Sequence, residues 1–169
     1  GRLSYSVGLR GPNTQIDTAC SATLVSLHFG MRCIQNAECE SCLVATANIH
    51  LDGAIFMAFA IAGMLSRTAA CHTWDRGGDG FARGEMCGGI LIGPRPAVYD
   101  GACPLHRGEF IGTGLRQDGK SASLTAPSGP GQKELLAAAW MDAGVDPGRC
   151  GVYESHGTGT ALGDPIEIG

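Results

Sequence analysis

A cysteine at the start of an apolar helical pattern is the first residue of this chain that could do covalent chemistry. Cys20 lies in DTACSATLVSLHFG, residues 17–30, between a small polar run and apolar residues that recur at helical spacing. The dipole and free amides at a helix N-terminus favour the thiolate, and the same amides can form part of an oxyanion hole. Cysteine is also among the residues most often buried for packing alone. Position by itself leaves both roles open.

A histidine in ESHGTGT, residues 154–160, is the second candidate. His156 follows a predicted strand and precedes a glycine-rich loop, which places it at a carboxyl edge where the sites of α/β proteins assemble. A neutral imidazole there can donate a hydrogen bond to a developing enolate or accept a proton. A loop histidine by itself is usually only solvated, and only the fold can bring His156 close to Cys20.

A third segment, GLRQDGKS at residues 114–121, matches the phosphate-loop pattern G-x-x-x-x-G-K-S. That motif requires a helix directly after Lys120 and Ser121, because the first amides of the helix bind the phosphate. The following residues, 122–132, include two prolines and two glycines, and we expect that they cannot open a helix. A nucleotide-binding module is therefore an alternative function only.

Two further groups of polar residues have a structural interpretation. The pair Cys39 and Cys42 forms a C-x-x-C that could be a redox pair or, with Cys33 and His50, a metal site. There is no second C-x-x-C and Cys42 lies in an apolar strand pattern, so structural thiols are favoured and no metal is predicted.

Charged residues also recur in the glycine-rich segment 66–89, which we predict to be a long ordered loop. They are Asp75, Asp79, Arg83 and Glu85. We favour an ion-pair network that pins this loop over a set of catalytic carboxylates.

The elements that must position these residues alternate between strands and helices. Strands are predicted at 13–17, 42–49, 89–93, 108–114 and 150–155. Helices are predicted from residue 21 through 34, over 54–65 as a buried core helix, over 133–144 with a glycine stop, and from Asp164 as cap and Pro165 as first residue. This order predicts an α/β fold with a mainly parallel, helix-covered sheet.

Composition excludes several other classes of protein. The chain has 169 residues, 44% hydrophobic and 17% charged, which predicts one globular domain with a well-buried core. A net charge of −4 without basic clusters indicates neither a nucleic-acid nor an anionic-membrane partner. The longest apolar run is too short to span a bilayer. Eight cysteines without a secretory signal favour a reducing cytoplasm. Because the chain lacks an initiating Met and stops one turn into a helix, we expect a piece of a longer protein.

Five segments in order, DTACSATLVSLH, AGMLS, WDRGGDGFARGE, QDGKSASLTAPSGPGQ and ESHGTGTALGDPIE, resemble the ketosynthase (β-ketoacyl synthase) domains of type I modular polyketide synthases. Fatty acid synthase ketosynthases are related. The resemblance implies a thiolase-like fold with αβαβα layers, usually a homodimer. It implies that residues 1–105 are the later part of the N-terminal half and residues 106–169 the start of the C-terminal half.

The resemblance also implies roles for individual residues. Cys20 matches the acyl-accepting nucleophile and His156 the first of two catalytic histidines. Substrate-binding roles are expected for Thr158 and Thr160. Structural roles near the site are expected for Asp79, Arg83 and Glu85, and QDGKS matches a family loop that binds no nucleotide.

The implied reaction is a decarboxylative Claisen condensation between an acyl group on Cys20 and a malonyl-type extender on acyl carrier protein. No bound cofactor is implied; the carrier's phosphopantetheine arm delivers both substrates, and neighbouring synthase domains such as an acyltransferase are partners. The family's second histidine lies in a Lys-x-Asn-x-Gly-His stretch that this chain lacks, so the chain alone is expected to be inactive. A priming or non-catalytic thiolase-fold domain is the remaining alternative. Met86 and Arg116 stand where the family usually has Gly and Asn.

Overall fold

The computed structural model describes residues 1–94, 107–123 and 125–169, which form two compact units. One unit comprises Gly1–Ala47 with Cys87–Ile111, and the other comprises Asn48–Met86 with Gly112–Gly169. The helices are α1 (Arg2–Val7), α2 (Ala22–Gln35), α3 (Ala54–Ile61), α4 (Gly129–Ala143) and α5 (Gly163–Ile168), and the strands are β1 (Cys42–Asn48) and β2 (Met86–Ile92). The predicted boundary between residues 105 and 106 lies outside the described residues.

The helix predicted to follow Cys20 is confirmed as α2, preceded by a single 3₁₀ turn over Ala19–Ser21. Leu27 and Gly30 are its buried residues. A Cβ at Gly30 would lie 2.9 Å from Cys42 Sγ and 3.2 Å from Ile92 Cδ1, so the absence of a side chain lets α2 lie directly against both strands. Helix α2 is therefore positioned by the sheet.

Strands β1 and β2 are neighbours in a two-stranded sheet. A Cβ at Gly89 would lie 3.9 Å from Val44 O, and one at Gly93 would lie 3.8 Å from Ser41 Cβ. Moving forward along β2 therefore means moving backward along β1, and the pair is antiparallel. The predicted strand at 42–49 is confirmed, whereas the mainly parallel sheet is wrong for the described residues, because the chain returns along β1 in the opposite direction.

Three other predicted strands, at 13–17, 108–114 and 150–155, are absent from the described residues. A strand requires a partner whose backbone groups complete its hydrogen bonds. Within the described part of the chain only β1 and β2 supply each other with that partner. These segments have no ladder to join, so an apolar sequence pattern alone does not make them strands.

The prediction of a well-buried core is also wrong for the described residues. Their only buried apolar side chains are Leu27 and Val44. Helix α3 is shorter than the predicted 54–65 and has no buried residue, with Ile61 88% exposed. The chain leaves the helix at Gly63, whose φ of 68° favours glycine. An apolar helix is buried only where other elements cover it, and the described residues leave every residue of α3 at least partly exposed.

Helix α4 begins four residues before the predicted position, at Gly129. The Ser128 side chain accepts a hydrogen bond from Gly131 N at 3.1 Å, and a proline in the first turn needs no amide partner. The expectation that residues 122–132 cannot open a helix is therefore wrong. The predicted glycine stop is confirmed, because Gly144 takes the left-handed conformation at the C-cap.

None of the helices in the described ranges is long and apolar enough to cross a membrane.

Candidate functional site

Cys20 is an exposed residue in the 3₁₀ turn that leads into the 14-residue α2. Asp17 Oδ1 accepts a hydrogen bond from Ala19 N at 3.1 Å, and Ser21 Oγ donates to Thr18 O at 3.0 Å. The residues around Cys20 are thus held by their own side chains. The thiol of Cys20 is therefore accessible to solvent and lies directly before the N-terminus of a helix.

Ala19, directly before Cys20, has a φ of 55°, in the left-handed region that costs a non-glycine residue about 1–2 kcal/mol. We expect Ala19→Val to lower the free energy of unfolding by about 1–3 kcal/mol, because a β-branched side chain tolerates this backbone poorly. Acyl loading of Cys20 should fall about tenfold or more, because the thiol is displaced. Urea unfolding and labelled-acyl transfer in a complete ketosynthase domain measure both effects.

The matched control is Ala45→Val, at an exposed position in the extended strand β1. Valine fits a strand backbone, so this variant should keep its stability. Equal losses in the two variants would show that the backbone at Ala19 is not the cause.

His156 is exposed and lies in a loop whose next residues include Gly157, with a φ of 54°, and Gly159, with a φ of 73°. A Cβ at Gly157 would lie 2.8 Å from Thr73 Cγ2, and one at Gly159 would lie 2.8 Å from His72 N. The glycines therefore allow both the backbone turn and the close approach of the 72–80 segment.

Two carboxylates of α5 hold the loop after His156. Asp164 Oδ1 accepts hydrogen bonds from Gly159 N at 3.0 Å and Thr160 N at 3.3 Å, and its Oδ2 accepts one from Trp74 N at 2.9 Å. Glu167 Oε2 accepts one from Gly157 N at 2.8 Å.

The prediction that Asp164 caps its helix is wrong. The helix begins at Gly163, two residues before the predicted first residue Pro165, and Asp164, which is 6% exposed, instead joins two loops through its carboxylate. Sequence reasoning missed these roles of Asp164 and Glu167. Their spacing of three residues, which places both on one helix face, was the available signal.

Replacing Asp164 by Asn should destabilise this loop. The amide group of Asn cannot accept hydrogen bonds at all the positions that the carboxylate serves, so at least one buried amide loses its partner at a cost of about 1–3 kcal/mol. We expect a lower urea midpoint and faster hydrogen exchange at Gly159 and Thr160. Asp146→Asn is the matched control, because Asp146 is exposed and accepts from Gly148 N at 2.8 Å. Unchanged exchange in Asp164→Asn would contradict this role.

The two predicted substrate-binding residues, Thr158 and Thr160, are half-buried in the same loop. Their hydroxyls lie 3.3 Å apart, and Thr160 Oγ1 also accepts a hydrogen bond from Gly163 N at 3.2 Å. The hydroxyl of Thr160 thus takes part in the turn into α5, and the binding of substrate by either residue stays a prediction.

Asp79 forms hydrogen bonds within the glycine-rich loop. Its Oδ2 accepts a hydrogen bond from Arg67 N at 3.1 Å. A hydrogen bond from the Ser66 hydroxyl, and to a lesser extent the one from Arg67 N, holds the pKa of the Asp79 carboxyl below its usual value. Asp75 Oδ1 similarly accepts from Gly77 N at 2.6 Å. Both carboxylates therefore stabilise backbone turns of the loop.

Arg83 and Glu85 connect the same loop to the segment around His50. Arg83 Nε lies 3.2 Å from His50 Nε2, and its guanidinium stacks over the Phe59 ring at 4.7 Å. Glu85 Oε1 accepts a hydrogen bond from His50 N at 2.6 Å. The prediction of an ion-pair network is wrong for these described residues. The three carboxylates accept hydrogen bonds from backbone amides, and Arg83 contacts the rings of His50 and Phe59. A structural role for Asp79, Arg83 and Glu85 near the site stays a prediction that these contacts support.

The segment GLRQDGKS lacks the geometry of a phosphate loop. Helix α4 does not follow Ser121 directly but begins at Gly129. Asp118 Oδ2 accepts a hydrogen bond from Ser128 N at 3.2 Å, so a carboxylate already lies at this helix N-terminus where the motif would place phosphate. The structure gives the nucleotide-binding alternative no support.

Cys42 of the C-x-x-C pair and the nearby Cys33 have the properties of structural thiols. Burial raises the pKa of the Cys42 thiol. The pKa of the Cys33 thiol is raised mainly by burial and, second, by the negative charge of Glu38. A thiol that is held protonated is a poor nucleophile and a poor metal ligand. In the part of the chain that the structure describes, no group of His, Cys, Asp and Glu is arranged to hold a metal ion.

The two departures from the family pattern lie on the surface. Met86 is 64% exposed at the start of β2, and Arg116 Nη1 donates a hydrogen bond to the neighbouring Leu115 O at 2.7 Å. Nothing in the structure explains either substitution.

Two family models match this chain. The β-ketoacyl synthase N-terminal domain matches residues 1–96, and the β-ketoacyl synthase C-terminal domain matches residues 107–169. The chain is 40% identical over 169 residues to highly-reducing polyketide synthase 1 of Aureobasidium melanogenum, covering 99% of this chain and 8% of that protein. It is 42% identical over 170 residues to the polyketide synthase ThaG of Burkholderia thailandensis, covering 99% of this chain and 3% of that protein.

Solved structures agree with the family models. A ketosynthase from module 6 of the bacillaene synthase of Bacillus subtilis 168 matches with a TM-score of 0.86 and 35% identity, over 99% of this chain and 30% of that one. An oxazolomycin ketosynthase domain of Streptomyces albus JA3453 matches with a TM-score of 0.87 and 31% identity, again over 99% and 30%. The chain thus folds as part of a ketosynthase domain, a class with a thiolase-like fold. Sequence and structure together show that the chain belongs to the β-ketoacyl synthase family.

Proposed function

We propose that these residues are part of a ketosynthase domain that catalyses decarboxylative Claisen condensation in polyketide biosynthesis. The observation that carries the proposal is the exposed thiol of Cys20 in the turn that leads into α2, in a chain of the β-ketoacyl synthase family. The chain spans less than a tenth of the length of these two curated relatives and about a third of the solved ketosynthases. The activity of the whole protein is accordingly a proposal.

The reaction divides into two steps. The Cys20 thiolate attacks the carbonyl carbon of a carrier-bound acyl thioester, and the phosphopantetheine thiol leaves with a proton, so one difficult condensation becomes two easier reactions. A malonyl-type extender on the carrier then loses CO2, and the electron pair of the broken C–C bond forms an enolate. The enolate carbon attacks the Cys20 thioester, the C–S bond breaks, and the extended 3-oxoacyl chain remains on the carrier.

The role proposed for His156 is to stabilise the enolate. A neutral imidazole can donate a ring N–H to the developing enolate oxygen, and hydrogen-bond donors held in place before the charge develops contribute most to such reactions. The clamping of the loop after His156 by Asp164 and Glu167 supports this role, since both side chains fix backbone amides of the loop. No bound cofactor is part of the proposal; the phosphopantetheine arm of acyl carrier protein delivers both substrates.

The proposed architecture is part of an αβαβα thiolase-like fold. Residues 1–105 would form the later part of the N-terminal half and residues 106–169 the start of the C-terminal half. The separate matches of the two family models support this division. The exposed apolar faces of α3 and β2 support packing against further parts of a larger domain.

The proposed partners follow from the multidomain relatives. They are acyl carrier protein, neighbouring domains such as an acyltransferase, and a second copy of the ketosynthase in a homodimer. The proposed location is the cytoplasm.

The test is a reconstituted condensation with a complete ketosynthase domain that contains these residues. The domain is mixed with an acylated carrier protein and a malonyl-carrier protein, and intact-protein mass spectrometry follows the carriers. We expect a 3-oxoacyl carrier that retains the carbons of the acyl donor, with CO2 released in equal amount. Release of CO2 without a carbon–carbon bond would indicate a priming decarboxylase instead, and neither product would indicate a non-catalytic domain.

A further inference from the structure

The loop after His156 is interlocked with residues 72–80 of the glycine-rich loop in the same unit. Thr73 Oγ1 donates a hydrogen bond to Gly157 O, and Gly80 N donates to Gly159 O at 3.2 Å. A Cβ at Gly78 would lie 2.7 Å from Gly159 O, so the two backbones are already in close contact. Neither loop can shift without the other.

The residue that follows His156 is fixed on both sides. Gly157 N donates to Glu167 Oε2 at 2.8 Å, while Gly157 O accepts from Thr73 Oγ1. Both backbone groups of Gly157 are therefore bound while its φ is 54°, in the left-handed region that favours glycine. The carboxylate of Glu167 therefore orients the peptide unit between His156 and Gly157, and the hydroxyl of Thr73 orients the next one, between Gly157 and Thr158.

Backbone strain accompanies this contact. Trp74 has a φ of 61°, which is unusual for a bulky residue and costs about 1–3 kcal/mol. Its amide donates to Asp164 Oδ2 at 2.9 Å, so the strained residue is held by the same carboxylate that binds the His156 loop. Thr73 is therefore presented to Gly157 O by a backbone that is itself constrained.

We propose that Thr73 is a positioning residue for His156: its hydroxyl, bonded to Gly157 O, holds the loop so that the imidazole meets the enolate oxygen. The inference rests on the proposed role of His156. It predicts that loss of the Thr73 hydroxyl slows decarboxylation and condensation without affecting acyl transfer to Cys20. Acyl transfer forms no enolate and therefore does not need the hydrogen bond that His156 is proposed to donate.

The test compares Thr73→Val with Thr73→Ser in a complete ketosynthase domain. Valine keeps the shape of threonine but has no hydroxyl, whereas serine keeps the hydroxyl. We expect Thr73→Val to lower kcat for decarboxylation about 10- to 100-fold with little change in KM, because small displacements of catalytic groups have effects of this size. Acyl loading should stay within about twofold of the wild type, and Thr73→Ser should recover most of kcat. Circular dichroism and thermal melts verify folding; if Thr73→Val is unfolded, Thr73→Ala replaces it.

A double variant separates this inference from the role of His156. If Thr73 acts through His156, then adding Thr73→Val to His156→Ala should slow decarboxylation no further. Multiplicative losses in the double variant, wild-type kcat in folded Thr73→Val, or equal impairment by serine and valine would each overturn the positioning role. Wild-type decarboxylation by His156→Ala alone would instead overturn the proposed role of His156, and the positioning role with it.

Discussion

Replacing Cys20 by alanine should abolish acyl loading of a complete ketosynthase domain. The proposed thioester forms on the Cys20 sulfur, and no acyl-enzyme can form at this position without that atom. We expect the amount of labelled acyl-enzyme to decrease at least about a thousandfold, to the background of the assay. Condensation should stop as well, because it uses the acyl-enzyme as its substrate. The measurement is transfer of a radiolabelled acyl group from carrier protein, followed by denaturing gel electrophoresis.

The matched control is Cys87→Ala. Cys87 is also an exposed free cysteine in the same unit, but it lies in strand β2 and not at the entrance of a helix. Its replacement should leave loading unchanged, which would rule out a general effect of removing a surface thiol. Full labelling of Cys20→Ala would exclude Cys20 as the acyl acceptor and would point to one of the other exposed thiols.

Replacing His156 by alanine should have the second-largest effect, and on a different step. Loading of Cys20 should remain within a fewfold of the wild type, because attack of the thiolate on the acyl thioester forms no enolate and so needs no hydrogen bond from His156. Decarboxylation of malonyl-carrier and condensation should fall about 10²–10³-fold, the usual loss when one oxyanion donor is removed. Release of labelled CO2, measured separately from acyl loading, distinguishes the two steps.

The informative companion is His156→Gln, which keeps a side-chain N–H but cannot exchange protons as an imidazole does. Partial recovery in this variant would indicate hydrogen-bond donation, whereas equal losses in both variants would indicate proton transfer. Product formation at the wild-type rate in His156→Ala would remove His156 from the proposed mechanism.

Several features of this chain were predictable from sequence because they depend on neighbouring residues. The helix after Cys20 follows from apolar residues at helical spacing, and the stop at Gly144 follows from the left-handed conformation that glycine tolerates. The strand at Cys42–Asn48 follows from a short β-prone apolar run. Each of these signals is carried within a few residues of the element that it predicts.

Most of the predictions that were wrong share a physical cause. They concern strand pairing and burial, which depend on contacts with residues distant in the sequence. The segment 150–155 has the composition of a strand, but a strand also needs a partner, and the described residues provide none there. Helix α3 is apolar on every side, yet its burial depends on what packs against it and not on its own sequence. The expectation that Gly and Pro prevent a helix at Gly129 failed for a local reason, since Ser128 and a first-turn proline suit a helix start.

By itself, the sequence determined the family, the candidate nucleophile Cys20 and the candidate histidine His156. Motifs in a fixed order and apolar residues at helical spacing depend only on residue types and their positions. The tertiary structure alone decided how the histidine loop is held. The bonds from Asp164 to Trp74 and from Thr73 to Gly157 join residues 90 and 84 positions apart. Hydrogen bonds between such distant residues depend on how the two loops pack, and no spacing or periodicity in the sequence encodes that contact.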